Sequence, residues 1–110
     1  MLTDVHTEKI SIEVTAPKNT TTAVIPAQTD AWIYVHELMG DLDVTGTITI
    51  KAGTRILAEF DLDAGQGLTS QDEPGWDGTA RFRCKPGEAF NITMSTDSTF
   101  QGTCDYSLRY

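Results

Sequence analysis

Apolar and polar residues alternate with a period of two along most of this chain, in short runs broken by Gly, Pro, Asn and Asp. That is the pattern of antiparallel strands with one wet face, and helical periodicity is nearly absent. The alternation is cleanest over residues 100–110, where Phe100, Cys104, Tyr106 and Leu108 share one parity with Gly102 among them. Ile10, Ile12 and Val14 alternate with Lys9, Ser11 and Glu13, giving a first strand that ends at the turn cluster Pro17-Lys18-Asn19. Residues 20–25 are rich in β-branched side chains and stop at Pro26, which has no N–H to donate to a ladder. A third strand over 31–39 carries Trp32, Tyr34 and His36 on one face with Ile33 and Val35 on the other, so both faces are candidates for cover.

Further along, 44–50 supplies Val44, Ile48 and Ile50, and the turn Lys51-Ala52-Gly53-Thr54 leads into Ile56, Ala58, Phe60 and Leu62. These two runs are expected to pair as a hairpin. The acidic segment 71–78 has too many breakers for a strand. Alternation resumes over 79–84, passes the Pro86-Gly87 turn, and continues over 89–95 with Phe90, Ile92 and Met94 inward. About eight strands with no intervening helix predict an all-β fold, an antiparallel β-sandwich or jelly roll, because one flat sheet would leave an apolar face unburied. Residues 1–110 read as a single domain, with 1–6 an extended N-terminal arm.

Composition changes this picture little: 39% hydrophobic and 22% charged residues are ordinary for a soluble globular chain. No apolar run approaches the roughly 20 residues of a membrane helix, so no membrane partner is expected. The first residues lack the basic start and apolar stretch of a secretory signal, which points to synthesis in a cytosol. Net charge is more informative. Sixteen carboxylates against eight Lys and Arg give −8, a surface that repels phosphate backbones and argues against nucleic acid.

Candidate chemistry is sparse. The histidines are His6, in the arm, and His36, on a strand; no nucleophile elbow or cysteine-protease signature accompanies them, so His36 is expected to be a half-buried strand histidine and no catalytic residue is assigned. Asp41-Leu42-Asp43 and Asp61-Leu62-Asp63 space carboxylates as calcium sites do, but neither has a third ligand or a bidentate Glu, and solvated strand ends are the expectation. Asp72, Glu73 and Asp77 form a similar cluster, and no metal or other cofactor is implied. Cys84 shares the parity of Ala80 and Phe82, and Cys104 that of Phe100, so both thiols should face the core. A bridge would close a loop of about 20 residues and add roughly 3 kcal/mol, but a cytosolic origin favours free thiols. Trp32 and Trp76 are the positions at which a sugar would stack, against the simpler alternative of packing. Asn19-Thr20-Thr21 and Asn91-Ile92-Thr93 fit the glycosylation triplet but carry no weight without a secretory signal.

From residue 48 to 110 the chain resembles small structural proteins of tailed bacteriophages. The shared features are a threonine-rich strand ending near Lys51-Ala52-Gly53, then Leu62-Asp63-Ala64-Gly65-Gln66-Gly67, Pro74-Gly75-Trp76, and Gly87-Glu88-Ala89-Phe90-Asn91-Ile92. In those proteins the glycine run is usually unbroken, whereas Gln66 interrupts it here. The resemblance implies a virion component made in the host cytoplasm, of the capsid decoration or cement type. Its implied partners are the major capsid protein and further copies of itself, as dimer or trimer. A tail or neck adaptor, or a fibre-attachment module, is the alternative within the virion; a carbohydrate-binding module is the alternative outside it. For a clamp of this kind the expected contacts are Met1, Leu2, Val5 and His6 in the arm, and Arg109 and Tyr110 at the end of the last strand, which would dock a neighbour if that strand were an edge.

Overall fold

The computed structural model describes residues 7–71 and 82–110. Among the described residues nine strands form two antiparallel sheets: β1 (Thr7–Ala16), β2 (Thr21–Ile25), β3 (Trp32–Leu42), β4 (Gly46–Ala52), β5 (Arg55–Leu62), β6 (Gly67–Gln71), β7 (Phe82–Cys84), β8 (Phe90–Met94) and β9 (Ser98–Arg109). One sheet runs β1-β9-β3, with β6 and β7 both paired to the far side of β3; the other runs β2-β8-β4-β5. The inner faces meet in one core containing Ile33, Val35, Leu38 and Phe100 from the first sheet and Ile48, Ile50, Phe90 and Met94 from the second, each at most 1% exposed. The chain is a β-sandwich, as its alternation predicts.

Four departures from the sequence reading have local causes. β6 is an extra strand; Leu68-Thr69-Ser70 becomes one because it pairs with Met39, Leu38 and Gly40 of β3. Ile56, which shares the parity of Ala58, Phe60 and the buried Leu62, is 59% exposed. The β4–β5 register passes from Ile50↔Ala58 to Lys51↔Ile56, leaving Leu57 as an unopposed bulge residue that turns Ile56 outward. Val44 precedes β4 and is also exposed. Lastly, β9 is not an edge: β1 lies on one side of it and β3 on the other, so its backbone groups are engaged along both flanks and it offers no ladder to a neighbour.

A second bulge explains how β3 keeps its apolar residues inside. Val35 faces Tyr106 and Glu37 faces Asp105, so His36 is the inserted residue, and the buried parity changes from Ile33 and Val35 to Leu38 and Leu42. Both thiols are free and buried. They sit on β7 and β9, on opposite sides of β3, and two strand spacings of roughly 4.8 Å exceed the roughly 7 Å Cα separation that a disulfide tolerates.

Candidate functional site

The positions proposed from sequence fall into separate places. Met1, Leu2, Val5, His6 and Trp76 lie outside the described residues, as do Asp72, Glu73, Asp77 and Ala80. His36 occupies the β3 bulge, half-buried, with its Nε2 2.8 Å from the Ser107 hydroxyl. That serine is fully buried on the outer side of β9, so no substrate can reach its oxygen and the pair reads as a brace for the bulge. The Asp-Leu-Asp repeats place Leu42 and Leu62 in the core and their aspartates at the surface. Asp43 accepts a hydrogen bond from the Thr99 N–H at 2.8 Å, and Asp61 one from the Thr47 hydroxyl at 2.6 Å. These carboxylates fasten strand ends. Among the described residues no group of three or more His, Cys, Asp and Glu lies close enough together to hold a metal ion.

At the opposite end of the sandwich the chain converges on a cleft of about 330 Å³ between the β5 and β7 edges. Its floor is Leu57, Ala58 and Phe82, and its rim is Trp32, Arg55, Arg83 and Lys85. The local structure that places these groups is built on one turn. Lys85-Pro86-Gly87-Glu88 closes with the Glu88 N–H donating to the Lys85 carbonyl at 2.9 Å, and Gly87 takes φ 89, a left-handed value open to glycine at little cost. The Gly87 N–H donates to the Gln28 carbonyl at 2.7 Å, tying this turn to the segment that enters β3 at Trp32.

Glu88 is the hub. Its Oε1 accepts from the Lys85 N–H and from Arg55 Nη2, each at 2.8 Å, and Oε2 accepts from Arg55 Nε at 3.3 Å. The bond from Arg55 holds the Glu88 carboxyl below the usual carboxylate range, and burial opposes that only in part. The same bond raises Arg55. Arg55 is thereby fixed along the rim, while Arg83 and Lys85 present exposed cationic side chains. Trp32, 36% exposed, meets Tyr34 edge to face with ring centroids 6.3 Å apart, and the Arg109 guanidinium lies 4.4 Å above the Tyr34 ring. Arg109 is half-buried against this aromatic ring, whereas Tyr110 is 87% exposed. In a chain of charge −8, three cations and a tryptophan around one cleft form a place suited to an anionic or aromatic-stacking group.

Sequence reasoning marked Trp32 and missed Arg55, Arg83 and Lys85. The alternation Arg83-Cys84-Lys85 was a legible sign that two cations flank an inward thiol, but the approach of Arg55 depends on the pairing of distant strands. No protein-family model matches the chain, and no curated protein matches it significantly.

Proposed function

We propose that this protein is a phage virion component of the capsid decoration type, which binds the outside of a shell and stabilises it by bridging major capsid subunits. What carries the reading is the way the segments that resemble phage structural proteins interlock in space. The Gly53 N–H donates to the Ala89 carbonyl at 2.8 Å, and the Gly53 carbonyl accepts from Asn91 Nδ2 at 2.9 Å, so the Lys51-Ala52-Gly53 turn and the Gly87–Ile92 stretch form one fastened corner. Arg55 and Glu88 close it from the solvent side. An acidic sandwich of this kind supports a clamp whose action is linkage: a protein that binds the assembled shell and not its separated subunits stabilises assembly by mass action. Mixing purified protein with undecorated shells, then imaging by electron cryomicroscopy, tests it. Density at repeated positions over the shell, with a raised shell melting temperature, is the expected result; density confined to a ring at the neck or tail would favour the adaptor, and no density on the particle would reject both.

The Trp32 cleft favours a second reading, a carbohydrate-binding module. Here a sugar stacks on Trp32 while Arg83 or Lys85 meets an acidic substituent. Glycan-array binding lost on Trp32→Ala, with the fold intact, is its expected signature.

A further inference from the structure

The two sheets have four outer sides, and three of them carry devices that discourage another strand from pairing. β2 is bulged between Ala23 and Ile25 and runs into Pro26. β5 is bulged at Leu57. β6 and β7, which share one side of β3, have five and three residues. Short strands, bulges and prolines are the common ways in which sheet edges avoid unwanted partners.

β1 has none of these. Its ten residues pair with β9 in unbroken register from Thr7↔Ser107 to Ala16↔Ser98, with no bulge and no proline, and no described strand pairs with its other side. Its outward face is Lys9, Ser11, Glu13 and Thr15, all exposed, and its inward face is Ile10, Ile12, Val14 and Ala16.

The charges on this strand are arranged about Ser11. Two copies of β1 laid antiparallel about a two-fold axis at Ser11 would bring Lys9 of each opposite Glu13 of the other, Ile10 opposite Ile12, and Ser11 opposite Ser11. Moving the axis to Lys9 or Glu13 sets like charges face to face, and moving it to Ile10 or Ile12 leaves both charges without a counterpart. A shift by half a step puts apolar side chains on the wet face. This register alone opposes both Lys9 to Glu13 and Ile10 to Ile12, leaving Glu8 opposite Val14 at each end, and such self-matching is the requirement of an isologous interface.

We infer that β1 is the edge through which two copies of this chain pair, antiparallel and centred on Ser11, joining their β1-β9-β3 sheets into one. Within each copy Lys9 lies 3.8 Å from Asp105, and Glu13 accepts from Gln101 Nε2 at 2.6 Å, both across the ladder to β9, so the charge pairs about the axis form only as these exposed side chains swing toward the free edge. Ile10, half-buried in one copy, gains cover from Ile12 of the other. The inference rests on the β1 edge and not on the capsid reading; a dimer of another register would overturn it and leave that reading standing, whereas a monomer at all concentrations would count against both.

A charge-reversal cycle read by sedimentation equilibrium tests the pairing. The unaltered chain should dimerise; Lys9→Glu and Glu13→Lys should each weaken the dimer by roughly tenfold or more, since every change is counted twice about the axis, and the double variant should recover it. Register is tested separately with cysteine. Ser11→Cys should form an intermolecular disulfide under mild oxidation, because directly opposed antiparallel residues lie within bridging distance, whereas Thr15→Cys should not, its partner being Thr7. The native thiols are buried and do not compete. A monomer at all concentrations, a double variant that fails to recover, or equal cross-linking at Ser11 and Thr15 would each overturn the inference.

Discussion

Gly102 and Gly40 face each other across β9 and β3, and the strands approach so closely there that a Cβ on Gly102 would lie 1.8 Å from the Met39 carbonyl oxygen. The Phe100 ring lies over Gly40, where an added Cβ would meet its Cζ at 2.5 Å. A ring covering a strand glycine restores the apolar contact the missing side chain would have made. Gly102→Ala must push the backbones apart, and a loss of about 1–3 kcal/mol is expected in urea unfolding. The cysteines give a second residue-scale prediction. Burial, reinforced by Glu88 for Cys84 and by Asp105 for Cys104, pushes each thiol up to about 12. At pH 8 only about one in ten thousand of each would be thiolate, so neither should react with a thiol reagent until the protein unfolds. This burial was legible from parity alone, because Cys84 shares the parity of Phe82 and Cys104 that of Phe100. The glycine contact was not, because it exists only once two distant strands are in register.

At the scale of elements, the hairpin β4–β5 depends on two features of different kinds. The bulge at Leu57 decides which isoleucine matters: Ile56→Lys should change stability by no more than about 0.5 kcal/mol, whereas Ile50→Ala should cost about 2–5 kcal/mol in the same denaturation series. The Glu88–Arg55 pair fastens this hairpin to the turn before β8. Because the Glu88 carboxyl titrates below its unfolded value, folding favours its charged form. The added stability is present above the ordinary glutamate pKa and disappears as pH falls through the lower folded one. Glu88→Gln should therefore melt below the unaltered protein at pH 7, and the gap should close on acidification below about pH 4. Strand existence was readable where alternation ran for five or more residues, as in β1, β8 and β9. β6 offered three residues between a glycine turn and an acidic segment, and it is a strand because β3 provides a ladder for it. The bulges at His36 and Leu57 were hidden for the same reason: an extra residue is defined only against the strand opposite.

For the whole molecule, two-sheet architecture followed from the pattern, since amphipathic strands without helices must bury their faces against each other. Which strand lies at an edge did not follow, because strand order is set by long-range pairing; among the described strands the last proved internal and the first outermost. The cleft was half legible, with Trp32 visible in the sequence and its cationic rim assembled from β5, β7 and the turn that follows.

The antiparallel ladder between β1 and β9 also has a mechanical meaning. Thr7 faces Ser107, so the first residue of β1 and the last residues of β9 lie side by side at one end of this ladder. Tension applied between residues 7 and 109 would open the rungs one after another, as a zipper opens, at low force. Tension between residues 17 and 109 would load all the rungs together in shear. Single-molecule pulling should find the second geometry much the stronger, so a protein of this shape resists load when it is gripped at the Pro17 end and yields when it is gripped at Thr7.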